Sequence, residues 1–168
     1  RHRESFDIPI IGITGSNGKT VVKEWLYQLL SKDSVVTRSP RSYNSQIGVP
    51  LSVWALTEQT EIGIFEAGIS LPHEMDALQS IIQPTIGVFT YLGEAHQENF
   101  ESLEQKVTEK LKLFKDSNTL VYCKDDIRLT KVLSSVAFKG NTFDWSFKDE
   151  NATLYVSSSK VCNNRTEI

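Results

Sequence analysis

The sequence predicts an open α/β fold: a mostly parallel sheet flanked by helices, with antiparallel strands at the C-terminal end. Three observations predict it. Short apolar runs alternate with segments of helical periodicity along the 168 residues, and strands separated by helices pair in parallel through right-handed crossovers. The first apolar run opens into a glycine-rich loop that leads into a helix. The polar residues able to do chemistry follow the ends of the apolar runs, and in open α/β sheets ligands bind at the carboxyl ends of the strands.

Ile8 to Ile13 reads as a buried strand. From Gly18 to Leu30 a helix is expected, with Val22, Trp25, Leu26, Leu29 and Leu30 recurring at helical spacing. Ile62 to Phe65, Thr85 to Phe89 and Thr119 to Tyr122 read as further buried strands. Helices are expected at Ser45–Ala55, Glu74–Ile82 and Glu101–Phe114. Thr142–Phe147 and Thr153–Ser158 alternate in period two, which predicts antiparallel strands at one edge.

A 39% hydrophobic content at this length suits one globular domain spanning 1–168 with a real core. The net charge of −3 gives no basic field, so nucleic acid is not an expected partner. No apolar run approaches the roughly 18–20 residues of a membrane span. Cys123 and Cys162 are too few and too scattered for a disulfide framework or a metal knuckle, and read as reduced thiols of a cytoplasmic protein. The chain opens at Arg1 rather than Met and stops at Ile168 with no closing element, so it is expected to be an excerpt of a longer one.

The strongest motif is Gly12-Ile13-Thr14-Gly15-Ser16-Asn17-Gly18-Lys19-Thr20, between a strand and a helix. Glycines let backbone N–H groups approach a triphosphate closely, and the helix beginning there adds its positive dipole end. Gly15, Ser16, Asn17, Gly18, Lys19, Thr20 and Val21 are therefore the expected nucleotide-binding residues of a P-loop NTPase-like sheet. Lys19 would reach the β- and γ-phosphates and the Thr20 hydroxyl would bind Mg²⁺. The strict spacing G-x-x-x-x-G-K-[ST] fails by one residue, because position 13 is Ile13 and the glycine is Gly12.

Four further residues or segments carry two readings each. Glu66 directly follows a buried strand, where a carboxylate holds a divalent cation or caps the next element. His96, in Gly93-Glu94-Ala95-His96, is a ligand or an ordinary loop histidine. On the helix carrying Phe100, Leu103, Val107, Leu111 and Phe114, Lys110 falls roughly 60° from the centre of the apolar stripe at about 100° per residue. It either snorkels to solvent or is held desolvated, where its amine is more easily neutral. Lys106 and Lys112 are expected to point further out. Asn44 and Ser45 either cap the following helix or orient a γ-phosphate or substrate carboxylate.

Together these residues resemble the central domain of the Mur ligase family. The Gly12–Thr20 loop is similar to that family's version of the P-loop, which accounts for the shifted spacing. Phe65-Glu66-Ala67-Gly68, Gly93-Glu94-Ala95-His96 and Lys110 follow in the family's order. Val22-Lys23-Glu24 and Tyr43-Asn44-Ser45-Gln46-Ile47-Gly48-Val49-Pro50 look most like the branch that adds D-alanyl-D-alanine. The resemblance covers Ile8 to Tyr122 and fades beyond. Two positions depart from it: Tyr91 stands where the family has asparagine, and His73 replaces a glycine before Glu74.

The resemblance implies an ATP-dependent, ADP-forming ligase of peptidoglycan precursor synthesis. The terminal carboxylate of a UDP-muramoyl tripeptide takes the γ-phosphoryl group, and the amine of D-alanyl-D-alanine attacks the resulting acyl phosphate. It implies ATP and Mg²⁺, with Thr20 and Glu66 on one metal, His96 on the other, and a carbamylated lysine at Lys110. Lys19, Lys110 and His96 become the catalytic set, and Asn44 and Ser45 the substrate side. It also implies that residues later in the central domain grip the adenine, and that flanking domains of the same chain present the sugar nucleotide and close over ATP, so this piece holds phosphates without ligating. A sibling Mur ligase, a folylpolyglutamate-type synthetase and a non-catalytic P-loop module remain as alternatives. The presence of Glu66, His96 and Lys110 argues against the last.

Overall fold

The computed structural model describes residues 2–93, 99–136, 138–162 and 165–167. Five strands and five helices alternate before the C-terminal strands. They are β1 (Ile10–Thr14), α1 (Lys19–Leu30), β2 (Val36–Arg38), α2 (Gly48–Trp54), β3 (Ile62–Glu66), α3 (Glu74–Ile82), β4 (Ile86–Phe89), α4 (Leu103–Leu111), β5 (Thr119–Cys123) and α5 (Ile127–Val136). Then come β6 (Asn141–Ser146), β7 (Leu154–Tyr155), β8 (Lys160–Cys162) and β9 (Arg165–Glu167). A seven-stranded sheet runs β2-β3-β1-β4-β5-β6-β7, and every pairing in it is parallel.

Handedness explains where the helices lie. From β1 the chain winds outward to β2, then reverses, stepping back through β3 and on past β1 to β4, β5 and β6. Right-handed crossovers put helices on opposite faces when the winding direction reverses. The core divides accordingly. Alternate residues Ile11, Ile13 and Ile64 pack on one face with Val22, Leu26, Tyr27 and Leu30 of α1. Ile10, Phe65 and Phe89 pack on the other with residues of α2, α3, α4 and α5. One helix therefore covers one face and four cover the other. Deleting a buried Ile or Phe side chain of either layer costs about 2–5 kcal/mol.

Several expectations are corrected. Trp25 and Leu29 are each 63% exposed; the stripe of α1 that packs on the sheet is the half-buried Val22, Leu26 and Leu30, because a lone helix on a sheet face needs only one narrow stripe. Residues 142–147 and 153–158 do not form antiparallel edge strands: β6 and β7 extend the parallel sheet, in registers such as Val121↔Phe143 and Trp145↔Leu154. The reason is the unanticipated α5, which carries the chain back so that β6 starts in the same direction as β5. Its signals are in the sequence. Leu129, Val132 and Leu133 are buried, and the Asp126 carboxylate accepts from the N–H groups of Arg128 and Leu129 as a cap. The antiparallel pair lies later, between β8 and β9. β2, three residues long, is too short for periodicity to reveal.

His73 precedes α3 with φ 67°, in the left-handed region. That backbone explains why glycine suits the position, since a Cβ there costs about 1–2 kcal/mol. The His73 N–H donates to Glu109 Oε2 at 2.9 Å, a bond glycine would retain. His73→Gly is expected to stabilise the fold by about 0.5–1 kcal/mol, after the entropy that glycine adds to the unfolded chain. A rise of about 1–4 °C in the thermal midpoint would check it; a fall would show that the imidazole makes a contact worth more than the strain.

Candidate functional site

β1 ends at Thr14 and α1 begins at Lys19, so the chain must turn within four residues. Gly15 at φ 147° and Gly18 at φ 83° make the turn. A Cβ on Gly15 would sit 2.1 Å from Thr90 Oγ1, so only glycine lets the loop lie against the end of β4. Four contacts fasten it there. The Ser16 N–H donates to the Tyr91 carbonyl at 2.7 Å, and Asn17 bridges Tyr91. Thr90 Oγ1 donates to the Asn17 carbonyl at 2.6 Å, and Ser16 Oγ to the Gly93 carbonyl at 3.0 Å. Gly18 caps α1 without a side-chain bond, which leaves the first N–H groups of the helix, at Lys19, Thr20 and Val21, without intrahelical partners. Such a terminus receives an anion, so the loop fits a nucleotide phosphate.

β3 delivers Glu66 to the same edge, fully buried. Its carboxylate accepts from Thr20 Oγ1 at 2.9 Å through Oε2 and at 3.2 Å through Oε1. A hydroxyl and a carboxylate in contact beside a phosphate loop are the oxygen donors Mg²⁺ prefers, so the pair fits a metal. Three lysines surround them. Lys19 folds over the loop and donates to the carbonyls of Gly15 and Ser16 at 3.0 and 3.2 Å. From α4, Lys110 donates to the Gly15 carbonyl at 3.2 Å and Lys106 to the Gly93 carbonyl at 3.0 Å. Burial lowers the Lys19 pKa, with Glu66 opposing and Lys106 reinforcing the shift. Burial also lowers that of Lys106. Lys110 is pushed down to about 7, first by burial and then by the charges of Lys19 and Lys106.

Between the loop and the start of α2 lies a cavity of about 290 Å³. Gly15, Ser16, Lys19 and Lys110 line one side; Asn44, Ser45, Gly68 and Glu74 line the other. Gly68 lies close to Asn44: its N–H donates to the Asn44 carbonyl at 2.7 Å, and a Cβ there would meet Asn44 Oδ1 at 3.0 Å. Ser45 Oγ accepts from the Gly48 N–H at 3.3 Å at the start of α2, and the residue also borders the cavity. Glu74 Oε2 is taken by the N–H groups of Ser70 and Leu71.

Of the residues singled out from sequence, Gly15, Ser16, Lys19, Asn44, Ser45 and Lys110 border one cavity. Thr20 and Glu66 meet beside it. Asn17 and Gly18 are exposed, and the side chain of Val21 is 51% exposed, leaving only its backbone N–H to contribute. His96 lies outside the described residues. Lys106 is a correction: it is 2% exposed rather than pointing outward, because the 91–93 segment covers that flank of α4. Lys112 does lie at the surface, paired with Asp76 and Glu109. Tyr91 engages the loop through its backbone, while its side chain is exposed. Sequence reasoning missed Thr90 and Lys23. A fully buried lysine was signalled only by its place one turn after Lys19.

Residues 13–168 match the Mur ligase middle domain. The UDP-N-acetylmuramoyl-tripeptide–D-alanyl-D-alanine ligase of Bacillus subtilis is 35% identical over 128 residues, covering 74% of this chain and 28% of that protein. The crystal structure of the MurF ligase from Thermotoga maritima in complex with ADP superposes over 88% of this chain and 35% of that one, with a TM-score of 0.77 and 31% identity. The crystal structure of MurF from Acinetobacter baumannii gives a TM-score of 0.85 over 95% of this chain, at 21% identity, and supports the fold. The chain thus spans about a third of the length of these relatives. With a middle-domain match over nearly its whole length, this chain belongs to the Mur ligase family.

Proposed function

We propose that this chain is the ATP-handling domain of a ligase that joins D-alanyl-D-alanine to a UDP-muramoyl tripeptide in the cytoplasm, through an acyl phosphate. The observation that carries the reading is the convergence at one cavity edge of an uncapped helix terminus, a Thr20–Glu66 oxygen pair at 2.9 Å, and two lysines on the Gly15 carbonyl. Relatives named for the same reaction support the choice of acceptor.

When bound, ATP supplies the phosphoryl group and Mg²⁺ neutralises its charge. The residues position and stabilise, which is most of what phosphoryl transfer requires. Backbone N–H groups from Gly15 to Val21 cradle the phosphates. Lys19 exchanges its two loop carbonyls for phosphate oxygens. Thr20 and Glu66 hold one metal, and His96 is assigned to a second. Asn44 and Ser45, across the cavity, orient the carboxylate that is to be activated. The adenine grip falls to residues later in the central domain, and flanking domains present the sugar nucleotide.

Lys110 fits carbamylation. CO₂ adds only to a neutral amine, and an ordinary lysine is neutral in about one molecule in a thousand near pH 7.4. With a pKa of about 7, more than half of the Lys110 amine is neutral there. The carbamate replaces a buried cation with an anion able to support a metal beside Lys19 and Lys106. The neutral fraction rises with pH, so a carbamate signal from ¹³C-bicarbonate should grow between pH 6 and 8 and be absent in Lys110→Arg. A signal that persists in that variant would assign the carbamate elsewhere.

Two further outcomes test the reading. The 168-residue chain should bind MgADP, at least tenfold more weakly after Lys19→Ala, yet release no ADP from ATP when given both substrates. Turnover by this chain alone would remove the need for flanking domains. In the longer ligase, ADP release with Mg²⁺, bicarbonate and UDP-muramoyl tripeptide should require D-alanyl-D-alanine. Release that requires a single amino acid and a shorter precursor would keep the mechanism and move the protein to a sibling step.

A further inference from the structure

Lys23 is among the largest fully buried side chains of the described residues, at 0% exposure, and no step above uses it. It stands one turn after Lys19 on α1, but its ammonium faces inward. Nζ lies 3.2 Å from Glu66 Oε1 and 3.2 Å from Glu24 Oε1, and donates to the Arg41 carbonyl. A lysine has three N–H donors, so these three partners saturate it, leaving none for a phosphate. Glu24 is held from its other side by Arg38 at 3.0 Å, whose guanidinium stacks 3.7 Å over the Tyr27 ring. The ammonium is a fixed internal group, braced from α1 and β2.

Two things depend on where it sits. Glu66 has one oxygen engaged by Lys23 and the other closest to Thr20, so the ammonium fixes the rotation of the carboxylate. The Arg41 carbonyl belongs to the segment between β2 and α2 that carries Asn44 and Ser45 to the cavity. That segment is tied to Glu66 a second time, by the bond from the Glu66 N–H to Ser39 Oγ at 3.3 Å. We propose that Lys23 is the positioning residue of the metal site: one ammonium clamps Glu66 with an oxygen aimed at Thr20 and sets the 39–47 segment against the same point. A divalent cation arriving with a nucleoside diphosphate or triphosphate then meets two oxygens already in place. This rests on the reading that Thr20 and Glu66 take the metal of a bound nucleotide.

Positioning and simple electrostatics predict opposite signs. A nearby cation repels Mg²⁺, so if charge alone mattered, removing Lys23 would tighten metal-dependent binding. Loss of a group that orients a metal ligand weakens it, by about 10–100-fold in comparable sites.

The test is calorimetric titration of the whole chain with ADP, in Mg²⁺ and in EDTA. Lys23→Met is expected to weaken MgADP binding about tenfold or more and leave metal-free ADP within about twofold of wild type. A merely structural role would weaken both alike, and an unchanged or tighter MgADP affinity would overturn the proposal. If Lys23→Met fails to fold, the comparison moves to Glu66→Gln with and without Lys23→Met, where no lone buried charge remains. Removing Lys23 in the Glu66→Gln background is expected to cost MgADP binding much less than the loss expected beside Glu66, and an equal or larger loss would also overturn the proposal. Wild type that binds ADP equally with and without Mg²⁺ would instead remove the metal-site reading, and the role of Lys23 with it.

Discussion

Every functional group described here sits where it does because β1 is central and the winding reverses around it. Its neighbours β3 and β4 are reached by crossovers on the face opposite α1, so the connections leaving the carboxyl ends of β1 and β3 part company. The glycine loop fills the gap. It is held by the Ser16 N–H bond and the Asn17 bridge to Tyr91, and by Thr90 Oγ1 on the Asn17 carbonyl, in addition to its own strand. Glu66 and the 91–93 segment arrive at the same point because parallel strands end on the same side. The right-handed crossover is a steric preference of L-amino acids, and the site inherits its location from that preference.

Charge is the cost of this arrangement. Three lysines approach one loop, two of them almost wholly buried, and each finds a backbone carbonyl where a mobile surface lysine would find water. The depressed pKa of Lys110 reports the strain: its amine sits among like charges in a poorly solvated place. An apolar residue at 110 would suit the isolated fold better. On the proposed reading, anionic phosphates in the loop, or a carbamate on the amine itself, would offset this cost. Groups that fit a ligand better than they fit the empty fold are expected at working sites. The contrast with Lys23 is informative, because that lysine is equally buried yet has two carboxylates within 3.2 Å.

Much of this was legible in the sequence because the loop and strands are local. Gly15, Gly18, Lys19 and Thr20 announce their geometry through residue type and spacing, and four of the parallel strands through apolar runs. Glu66 was legible because it directly follows the apolar run Ile62–Phe65 and closes its strand. Side chains whose environment comes from distant segments were not. Periodicity places Lys106 about 100° from the apolar stripe of α4 and hence outward; it cannot report that the 91–93 segment lies over that flank. Trp25 and Leu29 failed in the other direction, since apolar residues exceed what a single covering helix can bury. The direction of β6 was misread because period-two alternation marks a strand without fixing its neighbour, and that depended on recognising α5.

The two departures from the family pattern show that a motif position can record a backbone requirement or a side-chain requirement. At Tyr91 the structure uses the carbonyl that accepts from Ser16 and the bridge to Asn17. Neither needs a particular side chain, so tyrosine keeps the loop fastened while its ring stays exposed to solvent. At position 73 the requirement is a positive φ, which histidine meets at a cost and glycine without one. Gly15 differs from both: a Cβ would collide with the hydroxyl of Thr90, and that hydroxyl also bonds Asn17 within the same loop. A substitution there could not be absorbed by a turned side chain or by a modest strain. The positions that depart are therefore those where the backbone can carry the function with another residue. Gly15 is fixed by the collision with Thr90 and Gly18 by a positive φ of 83°, while Lys19, Thr20, Glu66 and Lys110 gather at the same edge of the sheet.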